Sequence, residues 1–463
     1  MSAHRTPSFE PDLLETGASA PAAGARSAGR GGSVWIRRPI ARSAREALAA
    51  VSLAILLGGA LVTIIAAADG STLLVPAGHE RFPAWLAGPL SGLGQSLPVA
   101  PLVALLATMW IAYVLMLAVV DAIPGRTALG AVVAAHVLFL LGPPILSSDV
   151  FGYLAYARLG VEHGLDPFTH AVEEIPGDPV TTYLSSVWPT DLSTPYGPLF
   201  LLATYVLVPL GIPGALWALK IATALAALVT VAIVGACARR LGHSPKRAML
   251  FVGLNPLWLA WAVGGAHNDL LMILPAMAGV LLLAGARRPG LGGAALGTAV
   301  AIKATAGLVL VFALVGTKRR LRTVAGAALA GAAVAAAGLA VFGTDLLHYP
   351  ANLLAQGEHL SRHNVPERTA RLLGFETLTP ELQRLVTAVF GVTVVGLLVR
   401  VARGGDWITA VGWATVGFLL STTSLHTWYI VALLPFAALG SSRALRLTTL
   451  AVCLLLVYVQ LTF

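Results

Sequence analysis

The sequence predicts an all-α, polytopic membrane protein, and three observations lead to this fold class. Of the 463 residues, 57% are hydrophobic and only 11% are charged, whereas soluble domains carry about a quarter charged residues. The mean hydropathy is +0.82. The apolar residues form runs of about 18–25, long enough for a helix to cross about 30 Å of hydrocarbon. These observations exclude a water-soluble enzyme.

The basic residues indicate a membrane orientation and not a nucleic-acid partner. The formal net charge is +9, but Lys and Arg lie in short clusters between apolar runs, as in loops that stay cytoplasmic. The sequence has no basic stretch with interleaved aromatic residues for a nucleic-acid strand. The two cysteines, Cys237 and Cys453, lie inside apolar segments and form no disulfide framework or metal motif.

The first part of the chain divides into a tail, three spans and a polar loop. Residues 1–45 are rich in Ala, Gly, Ser and Pro, and we expect them to form a disordered cytoplasmic tail. Spans are predicted at 47–68, 99–120 and 127–146. The loop 147–195 holds seven of the 21 acidic residues and one basic residue, and this bias predicts that it lies outside.

Two basic clusters that should both be cytoplasmic predict an even number of membrane crossings between them, and hence a helical hairpin in the second half of the chain. Clusters at 287–288 and 318–322 flank the apolar stretch 289–317. A single crossing would place the second cluster outside, against the positive-inside rule. Two short segments that turn near Lys303 keep both clusters inside and bring the lysine towards the outer face.

The same parity argument sets the remaining topology. It predicts a partial segment over 196–210, which two prolines shorten, and a full span over 215–238. A second outer loop is expected at 344–383, and residues 46–463 form one transmembrane domain with roughly 12–13 transmembrane helices. We therefore expect a multi-pass protein of the plasma membrane, with its N-terminus in the cytoplasm.

The loop 147–195 opens with a predicted amphipathic, juxtamembrane helix over 149–163. Helical spacing places Asp149, Tyr153 and Tyr156 on one face, so this helix is expected on the outer membrane surface. Asp149 has two interpretations: a helix N-cap, or a catalytic base that the helix N-terminus keeps ionised. In the second interpretation, Tyr153 and Tyr156 orient the acceptor sugar.

Other polar residues near the predicted outer face also have two interpretations each. His267, Asn268 and Asp269 form either a solvated turn or a patch that binds sugar hydroxyls. Lys303 and Lys220 lie in apolar segments, and each either snorkels to the interface or binds a lipid phosphate.

Aromatic and imidazole side chains add two further candidates. Tyr196 belongs either to the interfacial aromatic belt or to a wall that contacts sugar. His426, next to Trp428 and Tyr429 in the last outer turn, either anchors that turn or lines the site.

Five motifs with a specific order and spacing suggest a family. They are Ser147-Ser148-Asp149-Val150-Phe151-Gly152-Tyr153, Gly164-Leu165-Asp166-Pro167-Phe168, Thr194-Pro195-Tyr196-Gly197-Pro198-Leu199, Gly264-Gly265-Ala266-His267-Asn268-Asp269 and Ala301-Ile302-Lys303-Ala304-Thr305. From about residue 47 onward, the chain resembles the GT-C superfamily of membrane glycosyltransferases. It is most similar to the actinobacterial polyprenol-phosphomannose-dependent α-1,6-mannosyltransferases, which extend the mannan of lipomannan.

The resemblance implies an inverting transfer of mannose from polyprenyl-phosphate-mannose to a mannan-type glycolipid acceptor of the cell envelope, outside the cytoplasm. It also implies that Asp149 is the base, that His267, Asn268 and Asp269 line the cavity, and that Lys303 lies near the donor phosphate. Many superfamily members carry paired acids, whereas Asp149 stands alone until Glu162. We therefore expect no metal and no other cofactor.

A polytopic secondary transporter of a polar or lipid-linked solute is the alternative function. Transporters commonly carry inverted repeats with matched broken helices near the midplane. Here the loop 147–195 has no counterpart in the second half, and the polar residues cluster towards one face. The sequence therefore favours the enzyme.

Overall fold

The computed structural model describes residues 41–70, 74, 83–186, 188–285, 288–358 and 364–461, and within these ranges the chain is helical and has no strands. Residues 1–40 of the predicted tail lie outside the described residues. The α-helices of the first half are α1 (Arg42–Ala68), α2 (Ala84–Ala87), α3 (Val99–Ala118), α4 (Gly125–Leu141), α5 (Asp149–Val161), α6 (Pro198–Tyr205), α7 (Gly211–Arg240) and α8 (Pro245–Gly253). Those of the second half are α9 (Asp269–Leu283), α10 (Pro289–Ile302), α11 (Gly307–Gly316), α12 (Arg320–Phe342), α13 (Tyr349–Glu358), α14 (Val365–Leu372), α15 (Pro380–Ala402), α16 (Trp407–Ser421), α17 (Ile430–Leu439) and α18 (Arg443–Leu461).

Five segments in the described part of the chain are long and apolar enough to cross a membrane. They are α1, α3, the run from α6 through α7, the run from α12 into α13, and α15. Six shorter apolar segments of 10–17 residues accompany them. The polytopic all-α fold is confirmed, and these eleven segments compare with the roughly 12–13 helices predicted.

The chain has a short helix before the long one, as expected for the predicted partial segment. α6 has 8 residues and α7 has 30. Pro209 lacks the N–H that would continue a helix, and Gly211 takes a φ of 67° at the junction, a conformation that suits glycine. The short helix therefore ends before the span begins.

The predicted hairpin near Lys303 agrees with the packing of α10 and α12. A Cβ at Gly293 would collide with the backbone of Thr323, and one at Gly297 would meet Ala327. The residue numbers of these contacts increase in the same direction along both helices. α10 and α12 therefore run parallel, and both begin at the same end of the molecule. Lys303 has extended φ and ψ values of −152° and 124°, which end α10 at the opposite end.

The helix predicted over 149–163 is confirmed as α5, but its expected position on the membrane surface is wrong. Nine of its residues are buried, including Tyr153 and Tyr156 on the face that was expected to be polar. The part of the loop that follows α5 folds over this face, with Trp188 and Leu192 against Tyr156, so α5 lies inside the protein. Asn352 of α13 donates hydrogen bonds to the carbonyls of Phe168 and Thr194, which joins the two predicted outer loops.

Candidate active site

Asp149 is the first residue of α5, and its carboxylate lies at the edge of a buried polar cluster. Ser148 occupies the N-cap position, so the N-cap interpretation of Asp149 is wrong. The Asp149 backbone N–H donates to Ser147 Oγ at 3.1 Å. Asp149 Oδ2 lies 3.6 Å from His267 Nδ1, and the Asp149 side chain is 17% exposed. The carboxylate is thus partly accessible from outside the cluster.

Burial makes Asp149 an unusually weak acid. It raises the pKa of Asp149 to about 6, against the opposing effects of the Lys303 charge and of hydrogen bonds from Ser147 and Trp188. A carboxyl group with this pKa is mostly ionised at pH 7 and is a better base than an exposed aspartate. Gly152 allows the Trp188 indole to approach, because a Cβ at this position would collide with the ring.

His267 is fully buried beside Asp149, in the turn that precedes α9. Its imidazole stacks on Trp428 at a centroid distance of 3.9 Å, and Trp428 stacks on His426 at 4.5 Å. The predicted candidate His426 is therefore connected to the site through one aromatic ring. Burial lowers the pKa of His267 well below its ordinary value, so the imidazole beside Asp149 is neutral.

Of the two predicted tyrosines on α5, one joins the cluster and the other supports it. Tyr153 Oη lies 3.3 Å from His267 Nδ1 and accepts the backbone N–H of Asn268 at 3.4 Å. Tyr156 donates to the carbonyl of Leu192 at 2.7 Å and packs against Trp188. Because this hydroxyl is used inside the loop and Tyr156 is 2% exposed, the sugar contact expected of Tyr156 is not supported.

Tyr196 lies in the same aromatic group and not in an exposed belt. Its ring meets the Tyr153 ring edge-on at 5.0 Å and lies 6.1 Å from the Tyr156 ring. The next residue, Gly197, donates its N–H to the Ile302 carbonyl at 3.1 Å. A Cβ at Gly197 would collide with the backbone of Ala301, so glycine lets this loop dock directly against the turn that carries Lys303.

Lys303 is paired inside the protein, and the snorkelling interpretation is wrong. Its ammonium donates to Asp269 Oδ2 at 2.7 Å and to Asn268 Oδ1 at 3.4 Å. It also lies 4.9 Å from the centroid of the Tyr429 ring, within the range of a cation–π interaction. The Lys303 and Asp269 side chains are 12% and 3% exposed. The turns before α9 and after α10 thus form one polar unit.

Lys220 does not belong to this unit, contrary to the expectation that both lysines meet a lipid phosphate. It is 1% exposed, and its ammonium donates to the carbonyls of Phe139, Pro143 and Gly264 at 3.2–3.4 Å. These contacts occupy all three of its N–H groups. The structure therefore places Lys220 in the interior, behind the turn that leads to His267.

An apolar cavity adjoins the Asp269–Lys303 pair. Its volume is about 210 Å³, and its wall includes Asp269, Met272, Val309, Phe390, Phe418 and Tyr429. Two buried polar atoms in the cluster, His267 Nε2 and Asn268 Nδ2, have no hydrogen-bond partner within the described part of the chain. Buried polar atoms are usually hydrogen-bonded, so these two are candidates to bind a ligand.

A metal centre has no ready ligand set in this cluster. Among the described residues, no group of three or more His, Cys, Asp or Glu side chains is arranged to hold a metal ion. Asp269, the acid that would have to join Asp149, is instead paired with Lys303.

Three aromatic residues of the site had weak or no individual sequence signals. Trp188 hydrogen-bonds to Asp149, Trp428 lies between two histidines, and Tyr429 lies under Lys303. Their positions in predicted outer segments are also typical of interfacial belt residues. Only the folded arrangement separates the two roles.

Comparisons with known proteins show two families whose models match this chain. A family model described as "Alpha-(1->6)-mannopyranosyltransferase, N-terminal domain" matches residues 49–319. A model of glycosyltransferase family 87 matches residues 194–461. Each match covers more than half of the chain and includes Lys220, His267 and Lys303.

Curated relatives match over shorter stretches. The alpha-(1->6)-mannopyranosyltransferase A of Corynebacterium glutamicum is 33% identical over 39% of this chain and 36% of its own length. The protein of the same name from Mycobacterium tuberculosis is 34% identical over 40% of this chain and 35% of its own. The chain thus aligns with about a third of the length of these relatives. No solved structure matches it.

Proposed function

This chain belongs to the alpha-(1->6)-mannopyranosyltransferase family of GT-C membrane glycosyltransferases, and we propose that it transfers mannose from a polyprenyl-phosphate donor to a mannan-type acceptor with inversion. The observation that carries the proposal is the pairing of two groups. A partly exposed carboxylate, Asp149, lies beside a buried cluster that contains the Lys303 ammonium. An inverting transfer requires one base and a cation that stabilises the leaving phosphate.

Asp149 acts as the base in this proposal. The acceptor oxygen forms a bond to the anomeric carbon of mannose while the bond from that carbon to the phosphate oxygen breaks. The hydroxyl proton passes to Asp149, and polyprenyl phosphate leaves. Asp149 is more exposed than either His267 or Asp269, so it is the group best placed to meet an acceptor.

Lys303 and Asn268 are the proposed donors to the phosphate. Lys303 already bonds to two oxygens of the cluster, which phosphate oxygens are able to replace or join. Asn268 Nδ2 is buried with no hydrogen-bond partner in the described part of the chain. The apolar cavity beside Asp269 and Tyr429 has the chemistry to hold isoprene units of the lipid.

The acceptor approaches from the polar loop 147–195 in this proposal. Trp188 and Tyr196 are partly exposed aromatic side chains near Asp149, and such rings stack well on sugars. We place this face outside the cytoplasm in the plasma membrane, and assign an α-1,6 linkage, on the charge bias of the loops and the family. The reaction uses no metal or cofactor, so EDTA should leave turnover unchanged.

The test is a transfer assay in proteoliposomes with radiolabelled polyprenyl-phosphate-mannose and a short α-1,6-mannoside acceptor. Wild-type protein should produce an elongated mannoside, and linkage analysis should show a new α-1,6 bond. Free mannose without acceptor elongation would contradict the proposed acceptor class.

A flux measurement tests the alternative function, a secondary transporter. Both family models that match the chain describe glycosyltransferases, which argues against transport. Accumulation of an unmodified solute inside the proteoliposomes, with no labelled product, would overturn the proposal in favour of transport.

A further inference from the structure

Lys220 of α7 has surroundings that are unusual for a charged side chain. It is 1% exposed, and its ammonium donates to three backbone carbonyls, those of Phe139, Pro143 and Gly264. A buried charge is costly unless it is well paired. Carbonyl oxygens carry only partial charge and do not neutralise the ammonium. The free-energy cost of burying this lysine therefore indicates that it has a specific role.

The three carbonyls belong to two segments that lead into the site. Phe139 and Pro143 precede Asp149 in the segment from α4 to α5, whereas Gly264 precedes His267 in the turn before α9. The N–H of Ile145 also donates to the Gly264 carbonyl, at 3.2 Å. The two segments thus meet at the Gly264 carbonyl, and the Lys220 ammonium donates to carbonyls of both segments.

Each segment also contains a residue in the left-handed region of φ. Leu146 has a φ of 64° and Ala266 a φ of 53°. Both lie within two residues of the junction between Ile145 and Gly264. Such conformations cost free energy in residues other than glycine and persist only where surrounding contacts enforce them. The Lys220 contacts at Pro143 and Gly264 lie within three residues of Leu146 and Ala266 in the chain.

We propose that Lys220 is a positioning residue, which ties the segment before Asp149 to the turn before His267 and so fixes the approach of these two side chains. The inference rests on the proposed function only in taking the distance between Asp149 and His267 to be important for catalysis. The ammonium fixes the carbonyls of Phe139, Pro143 and Gly264 relative to one another. These fixed segments restrain Leu146 and Ala266, whose backbone conformations set the 3.6 Å separation between Asp149 and His267.

The test compares Lys220→Met with Lys220→Gln and with Thr230→Val as a control. Methionine keeps the length but donates no hydrogen bond, whereas glutamine keeps two donors. Thr230 is a buried polar residue in the same helix, and its hydroxyl has no partner within the described residues, so its change should affect neither readout. The first readout is hydrogen exchange in peptides that contain Ile145 and residues 264–269. The second is turnover at saturating donor, with the dissociation constant for the donor measured separately.

We expect Lys220→Met to speed exchange in these two peptides and to lower turnover about ten- to hundredfold, since a small misplacement of reacting groups costs about that much. Donor affinity should change less than about threefold, and Lys220→Gln should recover part of both losses. Unchanged exchange with weaker donor binding would overturn the proposal and indicate a phosphate contact. Faster exchange throughout the protein would also overturn it, because Lys220 would then support the whole fold.

The exchange readout separates this inference from the proposed function. If wild-type protein shows no transfer activity, the function is wrong, yet local loss of protection in Lys220→Met would still support the tie between the two segments. If wild type is active and exchange is unchanged, the tie is wrong and the function stands.

Discussion

Two carboxylates of the site, Asp149 and Asp269, are close in the fold and differ in their surroundings. Asp149 is 17% exposed and faces a neutral imidazole at 3.6 Å. Asp269 is 3% exposed and forms a 2.7 Å ion pair with Lys303. One acid is therefore available to take up a proton, whereas the other is held as the partner of a cation.

The different surroundings of the two carboxylates indicate that the cluster contains two regions with different chemistry. The Asp149 region, formed by α5 and the loop 147–195, is suited to proton transfer. The Asp269–Lys303 region, formed by the turns around α9 and α10, is suited to anion binding beside an apolar cavity. The following predictions test whether the two regions have separate roles.

The largest expected effect is on turnover in Asp149→Asn. The amide has nearly the shape of the carboxylate but accepts no proton, and a positioned base contributes about 10²–10⁴-fold to rate. Turnover should fall by about that factor, while donor affinity should hardly change and the melting temperature should not fall, because the neutral amide avoids the cost of burying a charge. Wild-type turnover in this variant would remove Asp149 from the mechanism.

Lys303→Met should weaken donor binding, and it should also slow the chemical step because the ammonium stabilises the leaving phosphate. A hydrogen bond to a charged group contributes about 1.5–3 kcal/mol, so donor affinity should fall about ten- to hundredfold. The double variant Lys303→Met/Asp269→Asn is the control, because it also removes the acid that the single change leaves unpaired. If the double variant regains donor affinity, the stranded carboxylate explains the loss and Lys303 does not bind phosphate.

The pH dependence of the reaction should report Asp149. With its pKa at about 6, turnover should fall about tenfold per unit below pH 6 and level off above pH 7. Stability should change with the opposite sign. The folded protein binds this proton more tightly than the unfolded chain does. Protonation of Asp149 therefore stabilises the fold as the pH falls from about 6, the pKa in the folded protein, towards 3.8, the ordinary pKa of an aspartate. Loss of activity together with unfolding in this range would contradict the assignment.

Asp269→Asn should have the smallest effect and serves as the matched change at the second carboxylate. It replaces the ion pair with Lys303 by a neutral hydrogen bond but leaves the base in place, so turnover should fall only about fivefold, the difference of about 1 kcal/mol between a charged and a neutral hydrogen bond. A loss as large as that of Asp149→Asn would show that the two acids share the proton-transfer step.

Much of the fold could be predicted from the sequence because hydropathy and charge act locally. The partial segment before α7 and the turn at Lys303 followed from proline positions and the positive-inside rule. The burial of α5 could not be predicted in this way. Its polar face is covered by the loop 147–195, and such packing depends on residues distant in the chain, among them Phe200 against Tyr153.

The candidate site was predicted in part for the same reason. Asp149, His267, Asn268, Asp269 and Lys303 stood out as polar residues in apolar surroundings, and the structure brings them together. Lys220 gave the same signal. Its partners are backbone carbonyls, which every residue carries, so no sequence pattern distinguishes a lysine that binds a phosphate from one that holds its own chain.

The apolar cavity beside Asp269 has a consequence for how the protein would meet a lipid-borne substrate. Phe390 of α15 lines it, and almost all of the apolar part of α15 lies exposed on the outside of the protein. Because α15 is also long and apolar enough to cross a membrane, we expect the outer side of this wall to face lipid. A substrate that arrives there is sampled by lateral diffusion, so its effective concentration is its number per unit area of membrane. Dilution with inert lipid at constant bulk concentration should slow the reaction, whereas dilution with buffer should not.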